Sequence, residues 1–238
     1  MTPSPSERLP ARLCDDDGNR VDPSQAVASP RFFVAVHDVA PNEREALSML
    51  LDELGARLGS CFALAVTPCY GGRSFGRADW AFLRDFLPER DRAPELLLHG
   101  LTHRRPPNAH PVSVVSRFSD EWTGLARIRL DTEIAEARTL IRQAFDRDPG
   151  GVVAPCWRWG AFDRTLMNKH RLGVAVGFRS AWFADPSRPL GRRDTPSAPS
   201  VVFHPVDVRR GLHQHGLRLI DQLIAVGARP ARFDEGYA

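Results

Sequence analysis

The chain alternates two kinds of segment. Short runs that are apolar throughout stop abruptly at a polar residue, and longer segments carry apolar residues every three or four positions. The first kind reads as buried strand and the second as amphipathic helix. Residues 31–39 (RFFVAVHDV) form the first such run and end in His37-Asp38. Leu47, Leu50, Leu51, Leu54 and Leu58 then fall at helical spacing up to Gly59, with Asn42 and Glu45 ahead of them in the form of a capping box. Residues 61–67 (CFALAVT) predict a second strand, 78–87 a helix, and 95–99 (ELLLH) a third strand. The clearest helix is 130–145, stopped by Pro149-Gly150-Gly151. A strand over 152–154, a helix over 161–172 and strands over 174–178 and 201–204 follow. A helix over 216–226 and a short strand over 230–233 end the pattern.

Strands that are apolar on both sides and alternate with helices imply a mainly parallel sheet covered on both faces. The polar residues gather at the C-terminal ends of separate strands: His37 and Asp38, His99 and His103, Pro155 to Trp157, and His204. In barrel-like α/β folds that rim is where chemistry is built. A doubly wound open sheet is the competing architecture, but it collects its site at one crevice. No Gly-rich dinucleotide fingerprint or P-loop is present, so nucleotide binding has no support. The expected organisation is a loosely ordered lead-in over 1–30 and one α/β domain over 31–238. Two Pro-rich loops, 104–119 and 185–200, are expected to shape the pocket.

Composition narrows the class. At 238 residues and 42% hydrophobic the chain can bury a sizeable core. The net charge is +3, and nearly all the basic charge is arginine, since Lys169 is the single lysine. The arginines are scattered, which excludes a nucleic-acid stripe. Cys14, Cys61, Cys69 and Cys156 form no CxxC pair and suit reduced thiols. Residues 1–30 contain no apolar h-region and no run has membrane-spanning length. A soluble, cytoplasmic protein is therefore expected, with a small-molecule or oligosaccharide substrate and neither nucleic acid nor membrane as partner.

His99 and His103 lie four apart where the third strand stops, and Gly100 lets the chain turn between them. Two imidazoles and one carboxylate are a common Zn²⁺ ligand set in hydrolases, leaving positions open for water. Asp38, ending another strand, is the best third ligand. His37 is either a packed histidine or a catalytic one, because strand neighbours point to opposite faces and both can enter the site only at a bend. His204 is the candidate general acid, with Asp207 either orienting it or capping a helix. Glu121 follows the long loop and could reach the pocket, while Trp122 reads as packing. Phe118, Trp157, Trp159 and Trp182 are candidates for stacking on a sugar. His110, His170, His213 and His215 sit among polar neighbours and read as solvated.

Four pieces in this order resemble the polysaccharide deacetylase superfamily, the NodB-homology carbohydrate esterases, and within it a divergent bacterial branch. They are Val36-His37-Asp38-Val39-Ala40-Pro41, Leu98-His99-Gly100-Leu101-Thr102-His103, Val153-Ala154-Pro155-Cys156-Trp157 and Phe203-His204-Pro205-Val206-Asp207. The resemblance covers about 31–233 and implies a distorted (β/α) barrel. It implies a divalent ion, Zn²⁺ by preference, held by Asp38, His99 and His103, with His204 as general acid and Pro155 and Trp157 at the substrate. The implied activity is metal-dependent deacetylation of an N-acetylated sugar or related amide. Two departures go together: His37 stands where the superfamily has its catalytic base Asp, and Val153 where it has the arginine that orients that base. Gly100 also replaces a usual Ser or Thr. A metal- or sugar-binding barrel without catalysis, and a hydrolase of a non-sugar amide or ester, are the alternatives.

Overall fold

The protein is described by a computed structural model over residues 31–84, 87, 93–104, 121–177, 181–183 and 199–235. The expectations for 1–30 and for most of the two Pro-rich loops, Phe118 and His110 included, lie outside these residues. The elements in order are β1 (Arg31–Val39), α1 (Arg44–Leu58), β2 (Ala63–Val66), α2 (Ala81–Arg84), β3 (Glu95–Leu98), α3 (Arg127–Phe145) and β4 (Gly151–Val153). They continue with α4 (Arg164–Lys169), β5 (Val174–Val176), β6 (Ala181–Phe183), β7 (Ser200–Phe203), α5 (Pro205–Arg209), α6 (His213–Ala225) and β8 (Arg229–Ala231).

The strands form one sheet in the order β6-β5-β4-β3-β2-β1-β7, with β8 also pairing with β1. All pairings are parallel except β5 with β6. The sheet curls into a half-barrel flanked by helices, the distorted (β/α) barrel expected from the resemblance. Among the described residues no helix is long and apolar enough to cross a membrane.

Side-chain alternation divides the core in two. Phe32, Val34 and Val36 of β1, Leu64 and Val66 of β2, Leu96 and Leu98 of β3 and Phe203 of β7 face the helix layer. There they meet Leu47, Leu50, Leu51 and Leu54 of α1, all fully buried, each contributing roughly 1.5–3 kcal/mol. Phe33, Ala35, Ala63, Ala65, Leu97 and Val153 face inward. The inner residues of β1 and β2 are mostly alanine. Phe33 and Phe233 stack at 4.9 Å between ring centroids and fill the bottom.

Several local expectations are corrected. The capping box at Asn42 and Glu45 does not form. Pro41–Glu43 is a turn of 3-10 helix, the α1 N-cap is Glu43, and no side chain bonds the cap. Proline at the start of that turn imposes the tighter geometry. The helix predicted over 78–87 shrinks to α2, and β6 and α5 appear where no periodicity marked them. His170 and His213 are buried, not solvated. His170 Nε2 lies 2.7 Å from Asp131 Oδ1, a partner remote in sequence. Cys61, Cys69 and Cys156 form no disulfide among the described residues.

At the bottom, Glu95 starts β3 and is buried. Its carboxylate accepts the backbone N–H of Phe233 at 2.6 Å and of Asp234 at 2.9 Å. Arg232 donates to Ala93 O and to Asp234, completing a clasp for the C-terminal segment. Burial and the Asp234 charge push the Glu95 carboxyl up to about 7, against those two donors and Arg232. Between its ordinary value and about 7 the folded protein therefore holds a proton that the unfolded chain has lost. Stability from this group is present at low pH and lost as pH rises across that window, by at most about 1.4 kcal/mol per pH unit. Denaturant unfolding of wild type and Glu95→Gln at several pH values should show this slope in the difference between them, with the variant the flatter curve.

Candidate metal centre

The rim of the sheet is assembled by alternation plus one irregularity. Inward-facing Ala35, Leu97 and Val153 put His37, His99 and Pro155 on the inner side at their strand ends, two residues on. Asp38 by the same rule would point into the apolar helix layer. The pairing of β1 with β2 slips between Val36 and Val39: three residues advance on β1 while two advance on β2. This bulge, with Asp38 at φ 54°, turns the carboxylate into the mouth beside His37. Both residues of the His-Asp pair therefore reach the site, by the bend that the sequence made necessary.

Asp38, His99 and His103 are brought together. Their Nε2 and Oδ1 atoms form a triangle: 3.1 Å between the two imidazoles, 3.5 Å from His99 to Asp38 and 3.3 Å from His103 to Asp38. His99 Nδ1 lies 2.9 Å from the Val153 carbonyl. A carbonyl only accepts, so Nδ1 carries a proton and Nε2 is the nitrogen turned toward Asp38 and His103. Asp38 Oδ1 is buried and has no hydrogen-bond partner among the described residues. Three atoms able to bind a metal face one another. Ligands 2.0–2.1 Å from a tetrahedral ion are separated by about 3.3–3.4 Å, and the triangle is of that size. The donor set fits a divalent cation. The Val153 carbonyl is the outer-shell partner that metal-bound histidines usually have.

Burial alone would push the Asp38 carboxyl up, but the facing His99 and His103 imidazoles hold it well below the usual carboxylate range. Burial pushes His103 down to about 4, and the neighbouring His99 adds to this. Both ligands are thereby kept in their metal-binding forms.

His37 lies among these groups. Its ring centroid is 4.7 Å from His99, 4.8 Å from Trp157 and 5.3 Å from His204. Burial, then the His99 imidazole, holds it well below its ordinary value, so it is neutral. Its Nε2 has no partner among the described residues. His204 is more open, with a side chain 39% exposed. Burial works against its charged form, but Asp207 and the Asp38 charge outweigh it and raise the pKa. Asp207 serves both roles the sequence allowed: its Oδ2 accepts the His204 N–H at 2.9 Å in the first turn of α5 and lies 3.6 Å from His204 Nδ1. Pro155 is buried at the rim, and Trp157 stands beside His37. Trp159 packs outside the site, against Phe162 and Trp122. The Trp182 side chain is outside the description.

Two contributors carried little signal in the sequence. Tyr70 stacks on His103 at 6.1 Å, and burial with the Asp38 and Glu43 charges pushes its phenol up to about 12. It follows Pro68-Cys69 at the end of β2, a strand with no histidine or acid at its tip. Glu121 is buried beneath the His99–His103 loop and accepts hydrogen bonds from it.

No family model and no curated protein matches the sequence. The structure does have solved neighbours. A CE4 family pseudoenzyme from Bacillus anthracis superposes with a TM-score of 0.52 at 13% identity, over 88% of this chain and 66% of that one. A mutant of it with restored enzymatic activity gives 0.52 at 14%, over 88% and 68%. Another mutant gives 0.52 at 14%, over 98% and 73%. The chain shares the fold of these solved structures. The chain spans about two thirds of the length of these neighbours, and at such identity the likeness is one of fold.

Within this fold, Gly100 has a local reason. Its φ is +74°, and a Cβ there would stand 2.1 Å from Glu121 Oε2 and 2.7 Å from Pro155 Cγ. A side chain is excluded by conformation and by space together. Gly100→Ala should cost roughly 2–4 kcal/mol, read as a lowered denaturant midpoint at unchanged slope.

Proposed function

We propose that this chain is a metal-dependent hydrolase of a non-peptide C–N bond that deacetylates an N-acetylated sugar or a related amide. The observation that carries the reading is the triangle of Asp38, His99 and His103 donor atoms, buried at the rim and sized for a divalent ion. Zn²⁺ is the preferred ion for two imidazoles and a carboxylate. When bound, it would supply Lewis-acid chemistry, activating water and polarising the amide carbonyl.

The chain's own residues take the remaining parts. His37 is neutral, buried and unpartnered at Nε2, so it can accept the proton of the attacking water. His204, held by Asp207 and favoured in its charged form, donates a proton to the departing amine. Pro155 and Trp157 wall the mouth next to His37, and Trp157 offers a face on which a sugar ring can stack. The substrate is a small molecule or oligosaccharide.

A second reading, a barrel that binds metal or sugar without turnover, is favoured by one observation. The group in the base position is an imidazole whose burial opposes its taking a proton. A solved neighbour of this fold is itself a pseudoenzyme.

Elemental analysis and an acetate-release assay on acetylated amino sugars, with Zn²⁺, Co²⁺ or Mn²⁺ added, separate the two. About one divalent ion per chain is expected in wild type, lost in Asp38→Ala and in His99→Ala while both stay folded. Retention of metal by both variants overturns the site. His37→Ala and His204→Ala should keep the metal and lose activity by roughly 10²-fold or more. Metal uptake without acetate release from any substrate supports the binding barrel.

A further inference from the structure

Of the three ligands, His103 is the one that no strand holds. Asp38 belongs to β1. His99 directly follows β3 and is fixed at both ends: its Nδ1 bonds the Val153 carbonyl, and its own carbonyl accepts the Thr67 hydroxyl at 2.9 Å. His103 stands on a loop, in the left-handed region at φ 51°. A non-glycine residue keeps that conformation only where its surroundings impose it.

What imposes it here is Glu121. Its carboxylate is 2% exposed, and among the described residues no lysine or arginine forms an ion pair with it. It is held instead by the loop's own donors. Oε1 accepts the Thr102 N–H at 2.8 Å and the Thr102 hydroxyl at 2.9 Å. Oε2 accepts the His103 N–H at 2.9 Å, and both oxygens lie within 3.2 Å of the Leu101 N–H. Three successive backbone N–H groups therefore converge on one buried anion, a nest closed by a side chain. Gly100 leaves the space for it, since a Cβ at that position would overlap Oε2.

We propose that Glu121 is the positioning residue of the metal centre: its carboxylate clamps the Leu101–His103 backbone and so aims the His103 imidazole at Asp38 and His99. The inference rests on the metal-site reading. Glu121 touches no ligand atom of the triangle and acts only through His103. A Glu121→Gln side chain has the same shape but places an amide N–H₂ against donors that require an acceptor, so the clamp opens while the packing stays.

The test measures Zn²⁺ affinity by competition with a chromophoric chelator, and the visible absorption of the Co²⁺-loaded protein, in wild type, Glu121→Gln, His103→Ala and the double variant. Far-UV circular dichroism reports folding. Glu121→Gln should weaken Zn²⁺ by roughly 10–100-fold, as loss of an outer-shell partner does, and change the Co²⁺ spectrum. In the His103→Ala background the same substitution should change affinity by no more than about threefold. A folded Glu121→Gln protein with wild-type affinity and spectrum overturns the proposal. A loss of equal size without His103 overturns it too, because Glu121 would then support the fold at large. If Glu121→Gln does not fold, Thr102→Val removes one donor and keeps the carboxylate. It should weaken Zn²⁺ in the same direction by less, and an unchanged affinity and spectrum there count against the proposal. A wild-type protein that takes up no Zn²⁺ overturns the metal-site reading itself and this inference with it. An indifferent Glu121→Gln in a metal-binding wild type overturns this inference alone.

Discussion

One extra residue in β1 governs what the rim of this sheet can hold. Alternation along β1 sends odd positions inward and even positions up to Val36 to the helix layer, and beyond the shift in register Val39 is buried in that layer too. A carboxylate at Asp38 in regular geometry would enter that apolar layer without a partner, which costs several kcal/mol unless it protonates. The bulge between Val36 and Val39 removes the conflict. It lets His37 keep its inward direction and brings Asp38 to the same side. Without it the rim would hold two imidazoles and no carboxylate, a poor ligand set for a hard or borderline cation.

The strain that accompanies this is local. Asp38, His103, Cys156 and Trp157 all have positive φ and all stand at the rim. Each such residue costs on the order of 1–3 kcal/mol and is kept only by surrounding structure. The surroundings here are specific: parallel pairing on both sides of β1, the Thr67 hydroxyl beneath His99, the Val153 carbonyl behind it, and the Glu121 carboxylate under the loop. Ala35, Ala63 and Ala65 lie in the same inner cluster as Val153, whose carbonyl holds His99.

The sequence shows the frame of this site but not its joints. β1 was legible to the residue, because nine apolar or terminal positions in a row are a local pattern. The placement of His99 and His204 at strand ends followed from the same rule. The bulge left no such mark: His-Asp at the end of a strand stated a contradiction and not its resolution. The pattern at Asn42 and Glu45 misled, since Pro41 starts a 3-10 turn and shifts the cap to Glu43. His170 and His213 looked solvated because their sequence neighbours are polar, yet both are buried, the first beside Asp131, a residue remote in sequence. Glu121 shows the limit most clearly. Its four donors come from residues 18 to 20 positions earlier in the chain, and no local rule connects the two.

The exchange at positions 37 and 153 makes physical sense as a pair. A carboxylate at 37 would be a second buried anion next to Asp38, and like charges so close cannot both stay ionised without a cation between or behind them. A guanidinium projecting from β4 would supply that cation. An imidazole at 37 carries no charge when neutral and asks for none. Val153 then completes the inner apolar cluster with its side chain, while its carbonyl remains to orient His99. Neutral His37 and apolar Val153 together make an arrangement that needs no buried cation, and it has a chemical consequence. Burial and the neighbouring imidazoles that keep His37 neutral also make it a reluctant proton acceptor. His204, 5.3 Å away, is pulled the other way: Asp207 and the Asp38 charge favour its charged form, so the two neighbouring imidazoles are shifted in opposite directions.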